Sequence, residues 1–314
     1  MGDVLSITLP IFALIGLGYG TVAFGLFRSQ DMKVLGTYVL NVAMPALLFH
    51  AVATRELSAV LHPGYLLALS IGGLATAAVV YAMTAATGTG PARRGIAVMG
   101  ATTSNSAFVG YPILLLALPD IAGPVLALNF LVENFVMIPV ALILLEFARP
   151  GEGRSLAGVI GRSLWNVVRK PFLIGLMLGM VVSVAGIALP APVLRFTDVL
   201  AGSAGALALV VIGGTLHGLP MRGNRWLAGQ IAVSKLVVHP AMVAAAVAIL
   251  PVLGLPGLSD EMRAAVILSA AMPMIGSFTV LAQSYGHEGV ASLSLLAATL
   301  MAFVTVTALL AVLV

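Results

Sequence analysis

The sequence predicts an all-α membrane protein with ten transmembrane helices in two inverted five-helix repeats, the fourth and ninth helices broken. Three observations lead there: the composition, the recurrence of long apolar runs, and the placement of the basic residues. Of 314 residues, 61% are hydrophobic and 8% charged, and the mean hydropathy is +1.13. A soluble domain needs roughly a quarter of its residues charged to cover its surface. Runs of about 20 apolar residues, enough to cross about 30 Å of hydrocarbon, recur along the whole chain and leave no space for a separate soluble domain. The chemistry of this protein therefore belongs to its membrane part.

Apolar runs between charged or Pro/Gly clusters place spans at about 4–26, 33–53, 64–86, 95–118, 121–147, 171–189, 196–217, 226–252, 263–285 and 288–313. The first run lacks a basic leader and a small-residue cleavage pattern, so it reads as a retained helix. The longest connection, Ala148 to Lys170, separates a first repeat (1–147) from a second (171–314) through a linker (148–170). In the linker, Leu156, Val159, Ile160 and Leu164 fall opposite Arg162, Asn166 and Arg169, the pattern of a basic helix lying on an anionic membrane surface.

Arg28, Lys33, Arg93, Arg94, Arg149, Arg154, Arg162, Arg169, Lys170, Arg222 and Arg225 all fall in connections on one side; Arg55, Arg195 and Arg263 fall on the other. The richer side is expected in the cytoplasm. That puts both termini on the periplasmic or outer side of a bacterial inner (plasma) membrane. It also explains the pI of about 9.7 without a nucleic-acid partner; lipid is the surface these charges meet. Five spans per half is an odd number, so the halves enter the membrane in opposite directions, as inverted repeats must.

Spans 4 and 9 carry what a plain membrane helix avoids. Each has a proline near mid-depth (Pro112, Pro273), a nearby glycine (Gly110, Gly276) and small polar neighbours (Thr103, Ser104, Asn105, Ser106; Ser277, Thr279), with Met272 and Met274 flanking Pro273. Proline removes a donor and clashes with the carbonyl four residues back, which lipid does not repair. Two breaks at equivalent places in opposed repeats are expected to cross near the midplane, with Asn105 to Pro112 unwound. Positive half-helix ends there suit a carboxylate, bare carbonyls suit a cation, and apolar walls such as Phe108, Ile113 and Phe278 suit a small organic body.

NSAFVGYP in span 4, AAMPMIGSF in span 9, NVAMPALLF (Asn41 to Phe49) in span 2 and KLVVHPA (Lys235 to Ala241) in span 8 together resemble the auxin efflux carrier family, which includes plant PIN carriers and bacterial malonate or malate permeases. The resemblance runs through the whole chain, although the long cytoplasmic loop of the plant proteins is missing. It implies a fold similar to the sodium/proton antiporter NhaA and the bile-acid symporters, with crossed broken helices, and an elevator-type secondary transporter of a small organic anion. A homodimer is expected, and no cofactor beyond a coupling proton or sodium ion. By the same resemblance the acid–lysine pair of the antiporter fold falls on Glu133 and Lys235.

Glu133 and Lys235 are the two ionisable residues deep in spans, at about 2.5–3.5 kcal/mol each when unpartnered. Pairing lowers both costs, either as a static lock or as a site where a proton or sodium couples. His239, one turn after Lys235 and just before Pro240, joins them as a coupling candidate, whereas His50 and His217 sit at span ends. The substrate-binding candidates are Asn105, Ser104, Ser106, Gly110, Pro112, Pro273, Met274, Gly276, Ser277 and Asn41, the last one turn from Pro45. Asn41 serves either substrate or the carbonyls that Pro45 frees. Cysteine is absent and no His/carboxylate spacing suits a metal. An intramembrane hydrolase would need a pair such as Ser106 with His239, yet the chain has no GxSxG elbow and no acid placed to orient the histidine. A channel would need charge rings or a repeated filter, which are missing.

Overall fold

The computed structural model describes residues 2–56, 61–148, 155–219, 223–255 and 257–314; Arg149, Arg154 and Arg222 of the expected basic side lie outside them. Among the described residues the chain is helical, with one isolated antiparallel bridge. The helices are α1 Gly2–Ala23, α2 Ser29–Tyr38, α3 Met44–Ala53, α4 Pro63–Ala86, α5 Pro91–Thr102, α6 Tyr111–Ala117, α7 Ala122–Val132, α8 Ile138–Phe147, α9 Leu156–Val168, α10 Pro171–Val184, α11 Ala191–Gly202, α12 Ala204–Leu216, α13 Arg225–Val233, α14 His239–Ile249, α15 Asp260–Ala271, α16 Ser277–Gln283 and α17 Glu288–Leu313.

Seven helical stretches among the described residues are long and apolar enough to cross a membrane, and an eighth follows if α9 and α10, bent by 71°, count as one. The segments of the expected fourth and ninth spans fall short of that length because each arrives as two short helices, α5 with α6 and α15 with α16. On the bent pair, Val159, Ser163 and Val167 are buried while Arg162, Trp165 and Arg169 are exposed. Of the apolar face expected in the linker, Val159 is buried and Ile160 and Leu164 are half-buried, while Asn166 is exposed with the two arginines.

Among the described residues one local device recurs four times. The π-turns Val39–Ala43, Ser106–Gly110, Glu133–Met137 and Ser234–Val238 are each followed by one residue and then a proline: Pro45, Pro112, Pro139 and Pro240. In three of them the register is explicit, since Met44, Ile138 and His239 donate to the carbonyls of Val39, Glu133 and Ser234, five residues back. A proline inside an α-helix has no N–H for the carbonyl four residues earlier and collides with it. Widening the preceding turn by one residue moves that carbonyl aside and lets the helix continue. Ser106, Glu133 and Lys235 all lie in these widened turns.

The chain clusters into two compact units, each assembled from both sequence halves. The first comprises Met1–His62, Ala107–Leu128 and Asn166–Gly218. There α1 packs on α12 and α3 on α10 so closely that a Cβ at Gly213 would strike the Ile15 carbonyl and one at Gly175 the Pro45 carbonyl. The second comprises Pro63–Ser106, Asn129–Trp165 and Leu219–Val314. In it α4 lies against α14 through Gly72, where a Cβ would stand 2.5 Å from Val243 Cα. Small residues at such contacts allow the backbone-to-backbone packing on which membrane helices depend.

Candidate functional site

The second unit contains both helix breaks. α5 ends at Thr102, Thr103 is extended (φ −95°, ψ 124°), and helical structure resumes at Ser106. α15 ends at Ala271, Met272 is extended (φ −66°, ψ 148°), and α16 starts at Ser277. The two breaks lie directly against each other. Asn105 donates its backbone N–H to the Pro273 carbonyl at 2.7 Å, and Ser104 faces Met274 in the antiparallel bridge. Thr103, Ser104, Asn105, Met272, Pro273 and Met274 are all buried. Each break thus satisfies part of the other's freed backbone, which resolves the problem that unwinding poses away from water.

The first break is shorter than the sequence suggested. Unwinding was expected from Asn105 to Pro112, but only Thr103 to Asn105 leave the helix, because the π-turn Ser106–Gly110 absorbs Pro112 into the first turn of α6. Pro112 therefore does not make the break. Pro273 does lie inside its own.

Lys235 connects the two breaks. Its side chain is fully buried, and Nζ donates to Ser104 Oγ at 2.7 Å, to the Ala270 carbonyl at 2.7 Å and to His239 Nδ1 at 2.8 Å. Ser104 belongs to the first break. Ala270 is in the last turn before the second, where helix carbonyls lack internal donors. The i, i+4 spacing of Lys235 and His239 aligns them on one helical face across the π-turn. On the facing segment, Ser106 donates its hydroxyl to Glu133 Oε1.

A narrow crevice runs between these groups, lined by Leu69, Thr102, Ser104, Asn129, Val132, Glu133, Met137, His239 and Ser269. At its edge Tyr65, Asn129 and Ser269 form a closed ring. The Tyr65 hydroxyl donates to Asn129 Oδ1 at 2.7 Å, Asn129 Nδ2 donates to Ser269 Oγ at 2.9 Å, and the two hydroxyls stand 3.2 Å apart. Each hydroxyl has one hydrogen. The Tyr65 hydrogen is placed to reach either the Asn129 oxygen or Ser269 Oγ, and Ser269 Oγ is the acceptor on both of its sides. Tyr65 and Ser269, and the Ala270 carbonyl, carried no signal as site groups in the sequence: a tyrosine and a serine in apolar runs are ordinary, and a backbone oxygen has no residue signature.

Of the other candidates, Gly276 and Ser277 are exposed, and space is open around Gly276. Asn41, Gly110 and Pro112 belong to the first unit, where Asn41 is exposed in its π-turn and Gly110 and Pro112 are buried. His50 Nδ1 lies 2.9 Å from Thr197 Oγ1, and His217 stacks edge-on against Tyr19, so both are held at helix ends. Ser106 is engaged with Glu133 and His239 with Lys235, not with each other as a hydrolase would need. No metal-binding cluster occurs among the described residues.

Comparison with known proteins places this geometry in context. Residues 3–314 match the family model described as "Membrane transport protein". A protein of Rhizobium meliloti named "Putative malonate transporter" is 29% identical over 99% of this chain and 96% of its own length. An "Uncharacterized transporter" of Methanothermobacter thermautotrophicus is 26% identical over 87% of this chain and 86% of its own.

Proposed function

The chain belongs to the membrane transport protein family, that of the auxin efflux carriers, and from that premise we propose that it is an elevator-type secondary carrier for a small organic carboxylate, coupled to an ion. The name of the Rhizobium relative points to malonate as the first substrate to try. One observation carries the reading most directly: two broken helices set back to back, Asn105 N–H on the Pro273 carbonyl, with a buried acid and a buried lysine bound to polar groups in and beside the breaks. A lipid-exposed protein gains nothing from such a break, whereas a carrier needs polar backbone at mid-depth. The family and relatives indicate a transporter rather than an enzyme.

In this reading the ten spans form two inverted repeats, both termini lie outside, and the crossing supplies the recognition groups. Asn105 and the serines contact the carboxylate, and Glu133, Lys235 and His239 couple its passage to the ion. The clustering into two compact units supports an elevator mechanism, in which the unit holding the crossing carries the substrate.

The test is thermal stabilisation of the purified protein by malonate, malate, indole-3-acetate and short monocarboxylates at two pH values. A ligand at 100 times its dissociation constant stabilises by about 2.7 kcal/mol. The Asn105→Ala variant, which keeps its backbone N–H, is expected to fold and to lose most of that stabilisation. If no carboxylate stabilises the protein and none enters proteoliposomes, the carboxylate reading is wrong.

A further inference from the structure

We propose that the Lys235 ammonium is the resident cation of the crossing, and that by occupying the oxygen cage there it makes the carrier indifferent to sodium, leaving the proton as its coupling ion. The inference rests on the carrier reading only for the word coupling; its binding test does not.

The cage consists of two oxygens of the kind that strip a small cation of water. Ser104 Oγ comes from the first break and the Ala270 carbonyl from the helix end before the second, each 2.7 Å from Nζ. Freed helix-end carbonyls and hydroxyls at broken helices are the oxygens that hold sodium in transporters coupled to it. Here a tethered ammonium holds them. All three of its hydrogens have an acceptor, the third being His239 Nδ1 at 2.8 Å.

That third bond sets the histidine tautomer. An ammonium has no lone pair, so Nδ1 is the acceptor and Nε2 bears the hydrogen. His239 Nε2 is buried, has no hydrogen-bond partner among the described residues, and belongs to a side chain lining the crevice. A cation entering the crevice therefore meets an ammonium and an N–H end. The other ionisable groups there are Glu133, bound by the Ser106 hydroxyl, and Tyr65, held in its ring. Lys235 is thus the residue that sets ion specificity. Without it, Ser104 Oγ and the Ala270 carbonyl would face an ammonium-sized space.

The experiment titrates full-length purified protein with sodium chloride against choline chloride at constant ionic strength, reading the unfolding midpoint, and repeats this on Lys235→Ala and Lys235→Gln. Wild type is expected to show no sodium-specific shift. Lys235→Ala is expected to gain a saturable rise with sodium and with methylammonium, and Lys235→Gln a smaller one. A sodium-specific rise in wild type overturns the proposal, as do folded variants indifferent to both cations. Should neither variant fold, malonate uptake into wild-type proteoliposomes decides: uptake driven by a sodium gradient overturns it, and uptake driven by a proton gradient alone supports it. Carboxylate binding that requires sodium defeats this inference and spares the carrier reading. Sodium inertness with no carboxylate response defeats the carrier reading instead.

Discussion

Replacing Tyr65 by phenylalanine isolates the hydrogen-bonded ring at the edge of the crevice. The aromatic ring is fully buried and remains, so only the hydroxyl is lost. With it go the 2.7 Å bond to Asn129 and the 3.2 Å contact with Ser269, two of the three sides of the ring. Side-chain hydrogen bonds between membrane helices average about 0.6 kcal/mol and reach about 1.7. A buried amide oxygen that loses its donor adds to that, so the expected cost is about 1.5–2 kcal/mol. Ser269→Ala also removes two sides, at a similar cost. Because the Tyr65–Ser269 side is shared, the double variant is expected to cost about 2–3 kcal/mol, less than the sum by about 0.5–1.5. Reversible unfolding of the four proteins in mixed micelles measures the cycle. Additivity within about 0.3–0.5 kcal/mol would show that the ring is only a set of separate contacts.

Glu133→Gln keeps an oxygen for Ser106 but removes the charge, so proteoliposome uptake should lose most of its dependence on external pH while the protein stays folded. An unchanged profile would remove Glu133 from coupling. Gly72→Ala drives a methyl group against the Val243 backbone and should cost about 1–3 kcal/mol in the same unfolding assay. In the loop before α17, burial and then Arg93 hold His287 below the ordinary histidine value. The unfolded chain therefore takes up that proton first as pH falls below about 6.5, and folded stability declines there. His287→Gln should flatten that part of the stability profile, and an unaltered slope would assign it to other groups.

The crossing was legible in the sequence because proline, glycine and small polar residues in an apolar run announce a break, and because Glu133 and Lys235 are costly enough in lipid to demand a partner. The extent of the first break was not. Pro112 looked like its cause, yet a π-turn accommodates a proline with only one extra residue per turn, and nothing in SAFVG distinguishes that from unwinding. The same turn lies ahead of Pro45, Pro139 and Pro240, so a proline in a membrane span signals a widened turn as readily as a break. The direct partners of Lys235 were hidden for another reason. One is a backbone oxygen at Ala270, and another, Ser104, lies 131 positions away.

The interleaving of the two units has a consequence for how the protein is made. The unit with the crossing begins at Pro63 and is complete only with its last segment, Leu219–Val314. Glu133 leaves the ribosome 102 residues before Lys235, which at about 5–20 residues per second is an interval of about 5–20 s. Through that time Glu133 waits in or beside the bilayer before the last segment of its unit exists, and the contacts of Lys235 with Ser104 and Ala270 form only when that segment arrives.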